Sequence, residues 1–167
     1  MKKCRRVRVS EGAPGFTLIE LVVVVAIVLV ISAMAMPMAR NMIRSYRLNA
    51  AASSISGAIQ STRYQAIMVG CPYTLAFSSS SITYQAATQN ITGTPPACAT
   101  SYSNVGGAVP WATSPEISLS SSVTLTFNPS GTVTSNQTGS PPTTLTIGVG
   151  GMTKTITVSG VGNVKTQ

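Results

Sequence analysis

Few side chains in this chain can do acid–base or nucleophilic chemistry. Its 167 residues include no His and no Asp, and its acidic side chains are Glu11, Glu20 and Glu116. A carboxylate pair, a Ser-His-Asp set and a Cys-His set are therefore not available to the chain. A Ser-Lys pair that uses Lys154 stays open, but serines are so abundant that it indicates nothing. The composition favours a protein that is not an enzyme.

Glu20 stands out because it lies at the amino end of an apolar segment. No charged residue occurs between Leu21 and Ala39, and at about 1.5 Å per residue this segment can cross a hydrocarbon core roughly 30 Å thick. A charged side chain inside lipid costs about 2.5–3.5 kcal/mol, so it indicates a functional group that has a partner. A cut between Gly15 and Phe16 would supply that partner as a free amine, in the same subunit or in a neighbouring one.

The segment Gly15-Phe16-Thr17-Leu18-Ile19-Glu20 resembles the class III signal of type IV pilins and type II secretion pseudopilins. The resemblance implies that a prepilin peptidase cuts after Gly15 and methylates the new amino terminus at Phe16. It also implies that Glu20 serves in assembly with other pilins or pseudopilins. Pro37 matches the helix-kinking proline of this family in position.

Two other interpretations of the amino-terminal segment stay open. A conventional signal peptide also combines a basic start with an apolar core, and Ala33-Met34-Ala35 could be its cleavage site. The chain would then be an ordinary secreted, β-rich protein, although Glu20 would gain nothing inside that core. The other interpretation is a plain signal anchor in which the glutamate is accidental.

The charge distribution predicts the orientation in the membrane. The formal net charge is +8, of which residues 1–15 carry five basic side chains and Glu11, or +4. By the positive-inside rule these basic residues keep the amino terminus in the cytoplasm, so the carboxyl-terminal part lies in the periplasm. We expect a cleaved leader over residues 1–15, a transmembrane half-helix over 16–39 in the inner membrane, and a soluble domain over 40–167.

Residues from Phe16 to about Val69 are predicted to form one long helix in two halves. Pro37 removes a backbone donor, so a kink or local unwinding is expected near residues 33–37. Beyond it the pattern becomes amphipathic, and Gly70-Cys71-Pro72 is typical of a helix end. The apolar face that should pack on the soluble domain comprises Leu48, Ala52, Ile55, Ile59, Thr62, Ala66 and Val69.

The sequence after Tyr73 has the pattern of β-strands. Strands are predicted at residues 73–77, 82–85, 123–127, 132–134, 145–149 and 155–158, where short apolar alternations occur. Asn128-Pro129-Ser130-Gly131 fits a type I turn, and residues 148–151 supply a second tight turn. Residues 86–115 are predicted to be a long loop of unknown conformation.

One long helix followed by an antiparallel sheet is an α+β arrangement, which agrees with the pilin fold that the motif implies. A second resemblance concerns the carboxyl-terminal half. The segment Phe127-Asn128-Pro129-Ser130-Gly131-Thr132-Val133 and the closing Gly162-Asn163-Val164-Lys165 are similar to the GspH/FimT branch of minor pilins and pseudopilins. This resemblance implies a low-abundance subunit at or near the tip of a fibre.

Three cysteines bear on stability. Cys4 would be removed with the leader, so Cys71 and Cys98 are left as a candidate disulfide in a compartment that permits one. Such a bond would stabilise the fold by ~3.5 kcal/mol in the chain-entropy model. Two separate buried thiols are the alternative. A metal site is not predicted, because two cysteines without a histidine make no usual site.

The basic residues of the mature chain allow more than one interpretation. Arg40, Arg44 and Arg47 share a helix face just outside the membrane, where they could contact lipid phosphates or pair with acids of neighbouring subunits. Some members of the GspH/FimT branch bind incoming DNA through basic residues near the carboxyl terminus. Lys154 and Lys165 are the candidates here, and Asn163 stands where such members tend to have arginine.

The sequence as a whole therefore predicts a structural minor pilin or pseudopilin of a type II secretion pseudopilus or a type IV pilus. Its predicted partners are other pilins or pseudopilins, the prepilin peptidase and inner-membrane lipid, and no cofactor is implied. DNA binding for natural transformation is the alternative function, and with few neutralised phosphates its affinity would be weak and salt-sensitive.

Overall fold

The computed structural model describes residues 15–93, 97–137 and 141–167. Most of the predicted leader, including Cys4, lies outside these residues, as does Pro95-Pro96 of the predicted loop. The chain divides into two compact units, Met1–Arg40 and Asn41–Gln167.

A single helix, α1, runs from Leu18 to Val69 and belongs to both units. It begins two residues later than predicted and ends where the sequence indicates. Gly70 follows it with a φ of +74°, and the Gly70 amide donates to the Ala66 carbonyl at 3.1 Å. The helix continues without a break through Pro37, so the local unwinding expected near residues 33–37 is not observed.

In the unit Asn41–Gln167, one face of α1 is buried. The predicted positions from Leu48 to Ala66 are all buried, but the prediction for Val69 was wrong, because this last helical residue is 40% exposed. Ala51 and Ala58 are buried as well, since each lies next to the predicted stripe on the helix surface. The buried residues of α1 are Leu48, Ala51, Ala52, Ile55, Ala58, Ile59, Thr62 and Ala66.

Two antiparallel sheets follow in the described part of the chain, where the sequence predicted one. The first sheet has the order β3-β2-β1-β6-β7, and β4 pairs with β2 outside this path. Its strands are β1 (Tyr73–Phe77), β2 (Thr83–Thr92), β3 (Ala97–Asn104), β4 (Val109–Pro110), β6 (Val123–Phe127) and β7 (Val133–Ser135). The central pair β1 and β6 places Leu75 opposite Leu125, and both side chains are fully buried.

The second sheet has the order β10-β9-β8-β5. Its strands are β5 (Ser118–Leu119), β8 (Thr143–Val149), β9 (Met152–Val158) and β10 (Val164–Thr166). Leu145 of β8 lies opposite Ile156 of β9, and both face the core. The amide of Val133 in the first sheet donates to the carbonyl of Gly160, just before β10, at 2.8 Å, which ties the two sheets together.

Both predicted turns are present. The Gly131 amide donates to the Asn128 carbonyl at 2.9 Å, so residues 128–131 close a hydrogen-bonded turn between β6 and β7. Gly150 and Gly151 connect β8 to β9 with φ values of +53° and +85°. Positive φ at both central residues defines the type I′ turn, which matches the twist of a hairpin and favours glycine.

The long loop predicted over residues 86–115 is wrong for the greater part of its length. Most of β2 and all of β3 and β4 lie there, and β2 pairs with β3 although neither strand has a regular apolar alternation. The same region supplies Trp111, which is 2% exposed and packs in the core with residues of α1 and of both sheets. The overall arrangement is the α+β fold that the sequence predicts.

Candidate functional site

The helix start of the amino-terminal unit is capped by Thr17. Residues 15–17 precede α1, the Leu21 amide donates to the Thr17 carbonyl at 3.2 Å, and the Glu20 amide donates to the Thr17 hydroxyl at 3.3 Å. Thr17 is therefore the N-cap and Glu20 is the third helical residue, which is the spacing of a capping box. A carboxylate in the first turn also interacts favourably with the helix dipole. Sequence reasoning missed the role of Thr17, although the Thr-x-x-Glu spacing was there to indicate it.

The apolar side chains of this unit are exposed. Within α1 an 18-residue window reaches a mean hydropathy of 3.0, and none of that window is buried. Phe16 is 85% exposed and Leu18 is 81% exposed. Among the described residues, α1 is the one helix long and apolar enough to cross a membrane.

Two of the three clustered arginines contact other residues of the unit Asn41–Gln167. The Arg47 guanidinium lies 3.6 Å from the Glu116 carboxylate and donates to the Ser114 hydroxyl at 3.3 Å. This ion pair is about half exposed, so it stabilises the unit by at most about 1 kcal/mol. Arg44 lies against the turn between β8 and β9, where a Cβ on Gly150 would be 3.1 Å from the Arg44 Cζ. Contacts of these arginines with lipid or with other subunits stay a prediction.

The two lysines proposed for DNA lie on opposite faces of the second sheet. Lys154 has the same orientation in β9 as Ile156, on the core-facing side, and its ammonium donates a hydrogen bond to the Asn49 side chain of α1. Lys165 pairs in register with Thr157, so it lies on the other face, where it is exposed. The structure therefore does not bring the two cations together into one surface that could follow a phosphate backbone.

Two family models match the chain. Residues 51–162, which are more than half of the chain, match the model described as type II transport protein GspH. The chain belongs to the GspH family. Residues 13–36 match the prokaryotic N-terminal methylation motif. Together these matches identify a GspH-type pseudopilin or minor pilin, as the two resemblances in the sequence predict. Compared with curated proteins and with solved structures, the chain has no significant match.

The GspH assignment favours neither alternative function. The methylation motif covers Gly15, Phe16 and Glu20, which distinguishes this segment from a conventional signal peptide. Lys154 and Lys165 lie on opposite faces of the second sheet, and their contact with DNA stays a prediction.

Cys71 and Cys98 form a disulfide in the GspH-matching region, with a Cα–Cα distance of 5.7 Å. The bond links the segment after α1 to β3, at one edge of the first sheet. Cys71 is 1% exposed, so one of the two bonded cysteines is buried. In residues 15–93, 97–137 and 141–167 there is no group of three or more His, Cys, Asp or Glu side chains that could hold a metal ion.

Arg63 is a residue of this unit to which the sequence assigns no role. It is half-buried at the carboxyl-terminal part of α1, and its Nε is buried without a hydrogen-bond partner among the described residues. Its side chain lies against Gly162 and Gly131, which belong to two different turns. No sequence signal links these three positions, because the contacts depend on the tertiary fold.

Proposed function

We propose that this protein is a minor subunit of a type II secretion pseudopilus, assembled from the inner membrane through α1. The observation that carries the proposal is the match of residues 51–162 to the GspH model. This region follows a methylation motif and an apolar helix segment that is not buried. In this role the helix is the assembly element, and the two-sheet unit is displayed at the surface or tip of the fibre.

The proposed membrane topology follows from charge and hydropathy. Before assembly, residues 16–39 span the inner membrane once, and the basic leader holds the amino terminus in the cytoplasm. The unit Asn41–Gln167 then lies in the periplasm, where a disulfide such as Cys71–Cys98 is stable. The partner at this stage is membrane lipid.

Processing prepares the helix for assembly. A prepilin peptidase cuts between Gly15 and Phe16 and methylates the new amino terminus. The helix cap at Thr17 lies after this bond, so cleavage leaves the capping hydrogen bond between Thr17 and Glu20 in place. The mature chain then has a positive amino group close to the helix start, next to its own Glu20 or available to that of another subunit.

Glu20 acts as a register element in this proposal. When the apolar helices of several subunits pack together, a carboxylate among them is stabilised only where it meets a positive amine. Packing in another register leaves an unpaired charge in apolar surroundings, which costs several kcal/mol. The acid therefore selects one arrangement of subunits without adding much to the overall affinity.

The proposed role is structural and not catalytic. Glu116 is the one acidic side chain of the unit Asn41–Gln167, and it pairs with Arg47. The sequence of this unit contains no His, no Asp and no second Glu, so a carboxylate pair or a His-assisted pair cannot form within it.

A Glu20→Val variant tests the proposal. Membrane insertion should be unchanged or improved, because a charge is removed from lipid, whereas incorporation into sheared fibres should fall at least about tenfold. Ile19→Val is the matched control, since it changes the neighbouring residue and keeps the carboxylate. Normal incorporation of Glu20→Val would contradict the register role. Absence of the unmodified protein from fibres, together with unimpaired secretion in cells that lack it, would contradict the proposed function itself.

A further inference from the structure

A cleft of about 450 Å³ lies between the last turns of α1 and the start of β10. Gln60, Arg63, Tyr64 and Ile67 line it on the helix side, and residues 162–164 line the opposite side. We call it the Arg63 cleft, because Arg63 is the charged residue in its wall. None of the features assigned to assembly or processing above uses this cleft.

The Arg63 side chain lies against two glycine turns. A Cβ on Gly162 would lie 2.7 Å from Arg63 Cδ and 2.9 Å from Nε, and a Cβ on Gly131 would lie 3.8 Å from Nη2. Both glycines have positive φ, +75° at Gly162 and +83° at Gly131. The Arg63 side chain therefore occupies space next to Gly162 that a Cβ would otherwise fill, and it is in van der Waals range of the Gly131 turn.

The turn that carries Gly162 is itself held by hydrogen bonds. The Gly162 amide donates to the Ser159 carbonyl at 2.8 Å, and the Asn163 amide donates to the Ser159 hydroxyl at 3.0 Å. The Val133 amide donates to the Gly160 carbonyl at 2.8 Å, which fixes this turn to β7. The backbone on this side of the cleft is therefore already ordered, so binding there costs little conformational entropy.

The charge of Arg63 is not balanced inside its own unit. Arg63 forms no ion pair in the described part of the chain, and its buried Nε lacks a hydrogen-bond acceptor there. Glu116, the one acidic side chain of Asn41–Gln167, pairs instead with Arg47. A positive charge without an acidic partner in its own unit favours an anionic group from outside at this wall of the cleft.

We propose that the Arg63 cleft receives an Asp or Glu side chain of a neighbouring pilin-type subunit, an inference that rests on the proposed function. The carboxylate accepts hydrogen bonds from the Arg63 guanidinium, and the side-chain amides of Gln60 and Asn163 line the two sides of the same cleft. Tyr64 and Ile67 pack on the apolar atoms that surround this acid. Arginine and tyrosine are residue types that carry much of the binding energy in protein interfaces.

The lining of the cleft favours a protein over a nucleic acid as the partner. A phosphate backbone is bound by several cations along a groove, whereas Arg63 is the one cation among the residues that line this cleft. Lys165 follows the lining residue Val164 in sequence, but it lies on the opposite face of the sheet from Val164. Ile67 and Val164 add apolar surface, which suits a polypeptide and gives nothing to a phosphate.

Photo-crosslinking in intact cells tests the proposal with the full-length protein. The photoreactive residue p-benzoylphenylalanine replaces Tyr64, which is 64% exposed at the cleft. It should crosslink to another pilin-type subunit, and mass spectrometry should place the crosslinked peptide next to an Asp or Glu. Reversing that acid to Arg should reduce the crosslink yield at least about tenfold, and combining it with Arg63→Glu should restore it.

A second variant leaves Arg63 in place in case its replacement prevents folding. Ile67 is 46% exposed and lies one helical turn after Arg63, so Ile67→Glu puts a competing carboxylate at the cleft. Ile67→Glu should reduce the crosslink at least about tenfold, whereas the neutral control Ile67→Gln should reduce it about twofold or less.

Several outcomes would overturn the inference. These are a crosslink that Ile67→Glu leaves unchanged, a crosslinked surface without a carboxylate, a crosslink to DNA or lipid, and no crosslink at all. If incorporation into fibres requires Glu20 but is not changed by Ile67→Glu, the proposed role of the Arg63 cleft is wrong and the proposed function stands. If this protein crosslinks to an acidic surface but never enters fibres, the proposed function is wrong.

Discussion

The Arg63 side chain lies so close to Gly162 that a Cβ at position 162 would be 2.7 Å from Arg63 Cδ. Val133 closes the same space from the other side, with its Cγ2 3.3 Å from that Cβ position. Gly162 has a φ of +75°, which L-residues other than glycine adopt only at a cost. Two independent reasons, space and backbone conformation, therefore require glycine here.

Replacing Gly162 should destabilise the unit Asn41–Gln167. We expect Gly162→Ala to lower the free energy of unfolding by about 2–3 kcal/mol, because it adds a steric cost to the conformational one. Gly151→Ala is the matched control: its φ is +85° and nothing lies within 4 Å of its Cβ position, so only about 1 kcal/mol should be lost. Chemical denaturation followed by circular dichroism measures both. Equal losses for the two variants would mean that Arg63 moves aside freely.

Burial of the α1 face supplies a second prediction. Residues 41–167 expressed alone should fold, since this unit contains the buried face of α1 and both sheets. Ile59 is fully buried, so Ile59→Asp should lower the free energy of unfolding by more than about 4 kcal/mol through an unpaired buried charge. Ser53→Asp adds the same charge at an exposed position of α1 and should change it by about 0.5 kcal/mol or less. A thermal midpoint that Ile59→Asp leaves unchanged would contradict the packing.

The apolar face was readable from the sequence because its spacing is a local property of a helix. Leu48, Ile55 and Ile59 follow the helical period, and all three are buried as predicted. Val69 fits the same period but lies at the last residue of α1, where nothing in the described residues covers it enough to bury it. Periodicity gives the direction of a side chain, and it does not say how far along the helix the partner surface extends.

The residues that sequence reasoning missed depend on pairing between distant segments. Strand β3 is rich in Ser, Ala and Thr, and its conformation comes from its hydrogen bonds to β2. Trp111 is buried because the segment after β4 returns to the core. The face of Lys165 follows from its register with Thr157, which the sequence does not encode locally. Contacts such as Arg63 on Gly162 are equally invisible before the sheets are placed.

The disulfide supplies a third prediction. Cys71 and Cys98 are 27 residues apart, so opening the bond should lower the free energy of unfolding by ~3.5 kcal/mol in the chain-entropy model. Dithiothreitol should therefore lower the midpoint of thermal unfolding of residues 41–167. The double variant Cys71→Ala and Cys98→Ala is the control, because its midpoint should not respond to reductant. A midpoint of the unmodified unit that is equally insensitive would mean that the thiols are free.

The amino terminus supplies a fourth prediction. Protein extracted from the membrane should begin at Phe16 and carry a methyl group, because residues 13–36 match the methylation motif. Amino-terminal sequencing and intact mass measure this directly. A Gly15→Val variant should accumulate with its leader attached, whereas Ala13→Val should be processed normally. A chain that begins at Met36 would support a conventional signal peptide instead.

The opposite positions of Lys154 and Lys165 supply a fifth prediction. Lys154→Gln should lower the free energy of unfolding by about 0.5–1 kcal/mol, because the ammonium bonds to Asn49, whereas Lys165→Gln should leave it unchanged. Residues 41–167 should show no detectable binding to duplex DNA at near-physiological salt, with or without these changes. Sub-micromolar binding at about 150 mM salt that is lost in the double variant would instead establish a DNA receptor.

The backbone around Gly15 and Phe16 bears on how quickly the leader can be removed. Gly15, Phe16 and Thr17 are exposed and precede the helix, and the first capping contact belongs to Thr17. A peptidase that cuts between Gly15 and Phe16 therefore meets a bond that is accessible in the native state, and no helical turn has to unwind first. When a bond is accessible in this way, the rate of its cleavage does not depend on a rare opening of the fold. Cleavage at this bond is thus independent of the stability of the domain behind the helix.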